Sequence, residues 1–197
     1  MAAIEELEPD SQSIRLEAPL ITTPRLILRR PDKDDAVDIA FLANSPKIAA
    51  MVARMPHPYG LKDAHAFIER NRDGGPNGSV HAVTLALTGR FIGCAGLDSS
   101  KGSGLELGYW LGEPFWGQGF ATEAAHALVD LAFGGTDVAM ITASCRISNP
   151  ASRRVIQKSG FQHAGTGMMS SIAAGNVAIE RFVLDRKTWA SLRSWGR

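Results

Sequence analysis

A chain of 197 residues with a formal net charge of +1 is long enough to bury a core of its own, without a metal or disulfide staple. Its acids and bases are mixed along the chain, which argues against a nucleic-acid or membrane-surface protein. Cys94 and Cys145 form no CxxC pair and sit among small or apolar neighbours, which argues against a disulfide framework and fits a reducing cytoplasm.

Residues 1 to about 18 are polar and aperiodic and read as a flexible lead-in, with no signal peptide visible; residues 19–197 read as one domain. No stretch has the roughly 20 apolar residues that span a bilayer. Arg25 to Arg30 alternates as a first strand between Pro24 and Pro31. Asp34 to Asn44 is expected as a helix with Val37, Ala40 and Phe41 on its apolar face, and Asp63 to Arg72 as a second, with Ala64, Phe67 and Ile68 inward. The Pro-rich turn 56–60 divides them, and the run 73–78 ends the second.

Three strands follow: Val80 to Leu87, Phe91 to Leu97 after a Thr88-Gly89 turn, and Leu105 to Leu111 after a loop at 99–104. In the third, alternation puts Leu105, Leu107, Tyr109 and Leu111 on one face and Glu106, Gly108 and Trp110 on the other. Gly119 to Phe133 is a long helix with a stripe of Ala121, Ala124, Ala125, Leu128, Leu131 and Ala132, stopped by Gly134-Gly135. Ala139 to Ser144 is a short buried strand. Asn149 and Pro150 are a favoured N-cap and first residue for a helix that Gly160 closes. Phe161 to Met169 and Val177 to Asp185 are late strands around a Gly175-Asn176 turn, and Lys187 to Arg193 a terminal helical turn. This order predicts an α/β (α+β) fold with a mixed sheet and helices on both faces, not a doubly wound alternation.

Gly117-Gln118-Gly119-Phe120-Ala121-Thr122-Glu123 lies between a strand and a helix. Glycines there let backbone approach a ligand, and the free N–H groups of the helix's first turn favour a phosphate. A tight turn glycine-rich for packing is the plainer alternative. Two nucleotide fingerprints fail: there is no GxxxxGK[ST], and Thr122 stands where the third glycine of GxGxxG belongs.

Glu106-Leu-Gly-Tyr-Trp-Leu111, Phe115-Trp-Gly-Gln-Gly-Phe-Ala-Thr-Glu123, Asn149-Pro-Ala-Ser152 and Lys158-Ser-Gly-Phe161 resemble the GNAT N-acetyltransferases. Within that superfamily they are most similar to the ribosomal-protein N-terminal (alanine) acetyltransferase branch, as is Thr23-Pro-Arg-Leu-Ile-Leu-Arg29. The resemblance runs from about Thr22 to Trp189. It implies a mostly antiparallel sheet of about seven strands, with a bulge on the fourth and a splay between the fourth and fifth. It also implies acetyl-CoA as co-substrate, with Trp110 and Leu111 offering backbone groups to the pantetheine arm and the pyrophosphate on Gly117, Gln118, Gly119, Phe120, Ala121 and Thr122. Trp116 replaces the Arg or Gln usual in that loop, so backbone amides carry most of the contact.

Asn149 is implied to touch the CoA arm, and is also simply an N-cap. Ser152, at the third helical position, is a candidate acid toward the departing thiolate. Glu106 is the candidate base for an amine that arrives protonated, and also reads as a surface glutamate. Tyr109 reads as core packing. An acyl-cysteine route through Cys145 lacks an activating base. Arg153 and Arg154 read as a solvated face or a contact to the CoA 3′-phosphate, and His57 and Tyr59 as a turn or an edge of the acceptor site.

The five histidines show no metal-ligand spacing, so no metal is expected. The expected partner is a primary amine, either a protein N-terminus or a small molecule, attacking directly in a ternary complex. A backbone N–H near Leu111 would stabilise the oxyanion. No nucleic acid or membrane partner is expected, and a monomer or homodimer is. A non-catalytic CoA-binding domain of the same fold is the alternative reading.

Overall fold

The computed structural model describes residues 18–72, 78–99 and 104–194. The lead-in through residue 17, and most of the expected stop at 73–78 and loop at 99–104, lie outside the described residues.

The strands are β1 (Ile21–Thr22), β2 (Leu26–Arg29), β3 (Gly78–Leu85), β4 (Phe91–Ser99), β5 (Leu105–Leu111), β6 (Met140–Arg146), β7 (Gln162–Ser171) and β8 (Gly175–Asp185). The helices are α1 (Ala36–Ala43), α2 (Pro46–Ala49), α3 (Leu61–Arg70), α4 (Phe120–Gly135), α5 (Pro150–Lys158) and α6 (Arg186–Ser194). Among the described residues eight strands form one sheet in the order β1-β2-β3-β4-β5-β6-β8-β7, and only the β5–β6 pair is parallel. The mixed, mostly antiparallel architecture is the expected one. The count rises from about seven to eight because the two-residue β1 pairs with β2.

β5 and β6 are paired from Leu105–Ile141 to Leu107–Ala143. Beyond that register Gly108–Leu111 and Ser144–Arg146 continue as strands without pairing to each other. This is the expected splay, one strand later in number because β1 precedes. The bulge implied for this strand is displaced: β5 pairs with β4 in continuous register from Leu105 to Leu111. Register shifts lie instead in the β3–β4 pair, where Val83 faces Gly93 and Thr84 faces Phe91, and in the β7–β8 pair between His163 and Gly165.

Leu105, Leu107 and Leu111 are buried and Glu106 and Gly108 exposed, as the alternation requires. Tyr109 bonds to Ser152 of α5, so the leucine face looks toward α4 and α5. Arg54, from the segment after α2, pairs with Asp98 opposite Glu106, so the glutamate face looks toward the segment linking α2 and α3.

α4 buries Phe120, Ala124, Ala125, Leu128, Val129, Ala132 and Phe133. Each large side chain fully buried there contributes about 1.5–3 kcal/mol. Ala121 and Leu131, expected in the stripe, are half-buried at its edge. Gly134 and Gly135 complete the last turn instead of stopping the helix, and Thr136 follows as C-cap.

α1 corrects an expectation. Val37 and Phe41 are 67% and 77% exposed, while Ala36, Ile39, Leu42 and Ala43 are buried. With Asp38 the only polar residue of Ala36–Ala43, the sequence marks no solvent face, and tertiary packing chooses the side. α2 was not anticipated, though Ser45 caps it from Oγ to the Ile48 amide and Pro46 opens it. α6 is a full nine-residue helix whose Trp189 ring packs 5.2 Å from that of Phe133.

Candidate functional site

Two walls border the opening between β5 and β6. The register fixes which backbone groups face it. Gly112 N–H donates to Ile92 C=O (2.9 Å), so Gly93–Leu111 is a non-hydrogen-bonded pair and Cys94–Trp110 a hydrogen-bonded one. The Trp110 backbone is therefore turned to β4, not to the opening as expected, and the N–H and C=O groups of Tyr109 and Leu111 face the opening. Trp116 closes the top: its indole N–H donates to Leu111 C=O (2.7 Å).

The turn after β5 passes through a short 3-10 segment, Glu113–Phe115, to Gly117 and Gly119, which have φ of 75° and 83°. That left-handed backbone suits glycine, and Gly119 is the N-cap of α4 with no side-chain cap. No acceptor among the described residues takes the N–H groups of Gly117, Gln118, Gly119, Phe120, Ala121 or Thr122. Six free amides at the positive end of a 16-residue helix are the kind of donors a diphosphate needs. The residues present therefore fit the pyrophosphate of CoA.

Both ends of this turn are clamped, by residues that sequence reading passed over. At its start, Ser45 Oγ and Lys47 Nζ each donate to Glu113 (2.7 Å). Lys47 first, then Ser45, holds that carboxyl below its usual range. At its end, the Glu123 carboxylate accepts from Thr23 Oγ1 (2.7 Å), the Arg25 amide (2.9 Å) and Arg25 Nε (2.6 Å). Burial would raise the Glu123 carboxyl, but these donors outweigh it and leave it lowered. Arg25 also donates to Gln118 C=O (2.9 Å), and its guanidinium lies 4.7 Å above the Phe120 ring. The signal was Thr23-Pro-Arg25, read only as strand-like; its partner lies 98 residues on.

On the other wall, Asn149 Oδ1 accepts from the Ser152 amide (3.0 Å), the expected N-cap. Ser152 is the third residue of α5, and its Oγ is 2.9 Å from the Tyr109 hydroxyl. Tyr109 is thus more than core packing. Burial pushes its hydroxyl well up, against the opposing pull of Ser152. Glu106 is on the opposite face of the sheet from this pair, exposed, between Asp98 of β4 and Thr142 of β6.

Several side candidates find other work. Arg153 Nε is bonded to Glu180 (2.6 Å), whereas Arg154 is exposed. Tyr59 is buried, which pushes its hydroxyl up to about 12, while His57 is exposed. Cys145 is a free, buried thiol that burial first, and Glu180 next, push above its ordinary pKa. That is the reverse of an activated nucleophile. Among the described residues no cluster of His, Cys, Asp or Glu is arranged to hold a metal, and no helix is long and apolar enough to cross a membrane.

Comparison with known proteins agrees with this geometry. Residues 25–162 match the Acetyltransferase (GNAT) domain family. The chain is 30% identical over 155 residues to the uncharacterized protein YkkB of Bacillus subtilis (strain 168), a match covering 74% of this chain and 87% of YkkB. The fold is shared with the microcin C7 self-immunity acetyltransferase MccE, solved with acetyl-CoA and AMP (TM-score 0.71, 19% identity, 83% of this chain and 93% of that one). It is shared too with the ribosomal-protein-S5-alanine acetyltransferase of Vibrio fischeri (TM-score 0.71, 17% identity, 87% and 98%). The chain belongs to the GNAT acetyltransferase family and is an acetyl-CoA-dependent acetyltransferase.

Proposed function

We propose that this GNAT-family enzyme transfers the acetyl group directly to a primary amine of a small molecule or a protein N-terminus. The observation that carries the reading is the run of six unpaired amides, Gly117 to Thr122, beside the opening where β5 leaves β6. Acetyl-CoA, when bound, supplies the activated acyl group. The amides of the turn bind its diphosphate, and the outward-facing backbone of Tyr109 and Leu111 orients its arm, with Trp110 and Asn149 beside it. The Leu111 N–H, facing the opening, would donate to the oxyanion.

Glu106 serves as the base. An α-amine with pKa near 8, or a lysine near 10.4, is largely protonated at neutral pH. Glu106, exposed on the face opposite Tyr109, takes that proton directly or through a water. Ser152 holds a proton at Oγ on the α5 side, steadied by the Tyr109 hydroxyl at 2.9 Å. Glu106 and Ser152 thus serve opposite sides of the sheet, the amine on one and the departing thiolate on the other.

The test is Glu106→Gln, assayed by free-thiol release from acetyl-CoA across a panel of amines and N-terminal peptides. Turnover should fall about 10²–10⁴-fold with acetyl-CoA affinity held, the usual range for losing a general base. Unchanged turnover removes Glu106 from that role. Failure of every amine, with acetyl-CoA still bound, rejects the amine acceptor.

A further inference from the structure

On the face that carries Glu106, one cation is buried without a counter-ion among the described residues. Arg146 is the last residue of β6 and is only 7% exposed. Pairing of β6 with β5 ends at Ala143, so Ser144 to Arg146 border the opening. Thr142 is opposite Glu106, and alternation puts Thr142, Ser144 and Arg146 on the same face as that glutamate.

Of the five N–H donors of the guanidinium, one is used among the described residues. Nη2 donates to Ser171 Oγ (2.9 Å), which donates to Val52 C=O (3.1 Å). The head group is thus held where the β7–β8 hairpin meets the segment after α2, a junction closed by Ile172 N–H to Ala53 C=O (2.9 Å). Nε is buried with no acceptor among the described residues. Burial pulls this guanidinium below its ordinary pKa.

The neighbouring acids do not answer it. Asp98 is taken by Arg54. Glu106 is level with Thr142, four residues or roughly 13 Å of strand away. Arg181, opposite Ser144 on the same face, pairs with no carboxylate among the described residues and lies against Gly167. A buried polar group that lacks a partner is costly, and one kept in a structure calls for a functional role or a bound water or ion.

We propose that the acceptor carries a carboxylate near its amine and that Arg146 receives it, leaving the amine toward Glu106. The inference rests on the amine-acceptor reading and narrows it to amines with an acidic group within about 13 Å, less the reach of the two side chains. A free amino acid and a peptide with an acidic residue near its N-terminus share that chemistry.

The full chain is assayed with acetyl-CoA on matched pairs: α-, β- and γ-amino acids against their carboxamides, and N-terminal peptides with Glu against Gln at the second position. The amino-acid and peptide arms tell the two sources apart. Wild type should favour the acidic member of at least one series by about 10- to 100-fold in kcat/KM, the range for a charge-assisted hydrogen bond. Arg146→Gln should collapse that ratio toward one, and Arg146→Lys should keep part of it. A merely structural arginine would lower both members together.

Equal turnover of acidic and neutral amines by wild type overturns the proposal without any variant, as does a ratio that survives Arg146→Gln. Exclusive use of neutral amines overturns it while leaving the amine-acceptor reading intact. No turnover in any pair, with acetyl-CoA bound in calorimetry, overturns both.

Discussion

Glu123→Gln removes the charge from the clamp that ends the Gly117–Thr122 turn while keeping its shape. In the native chain the carboxylate takes three donors, at 2.7 Å from Thr23 Oγ1, 2.9 Å from the Arg25 amide and 2.6 Å from Arg25 Nε. The Glu123 side chain is 16% exposed, but Arg25 is 49% exposed, so its ion pair is counted as a surface one, about 0.5 kcal/mol. Each of the other two bonds exceeds a neutral one by about 0.5–1 kcal/mol. The sum is about 2 kcal/mol, which for a domain of this size lowers Tm by about 4–8 °C. Loss of order in the turn should also weaken acetyl-CoA, by about three- to tenfold.

The pH dependence has a definite sign. Because the folded carboxyl is lowered, its stabilisation is complete above the unfolded value of about 4.3 and is lost as pH falls through the folded value. Thermal melts from pH 7 downward should show the gap between wild type and variant shrinking below about pH 4. Titration calorimetry at pH 7 reads the affinity. Equal melting points at pH 7 together with equal acetyl-CoA affinity would refute the clamp, and a gap constant across the pH range would refute its electrostatic origin.

Gly119→Asp should weaken acetyl-CoA at least tenfold by calorimetry. It forces a side chain onto φ of 83°, costing about 1–2 kcal/mol, and puts a negative charge in the cradle. The new Cβ would also stand 3.3 Å from Arg25 Nη2. Unchanged affinity would move the diphosphate elsewhere. Ser152→Ala should slow the chemical step in single-turnover experiments, by about 10²-fold, with little change in acetyl-CoA affinity. Tyr109→Phe, which removes the hydroxyl at 2.9 Å from Ser152 Oγ, should do the same to a smaller degree. Equal losses in rate and affinity would make both residues structural.

What was legible in the sequence was what neighbours in the chain decide. Alternation along Leu105–Leu111 set its two faces, and Asn149 with Pro150 announced the start of α5. The glycines before Phe120 marked a backbone that leaves amides free, because left-handed φ and an uncapped helix start are local properties. Tertiary structure decided the rest. Ala36–Ala43, apolar but for Asp38, took its buried side from what it met, so Val37 and Phe41 ended outward. Tyr109 became a partner of Ser152, and Glu123 of Thr23 and Arg25, across separations of 43, 100 and 98 residues. Arg146 became a buried cation only when β6, the β7–β8 hairpin and the segment after α2 closed around it. Dihedral preference and periodicity act within a few residues, whereas burial and charge pairing depend on which distant segments the sheet brings together.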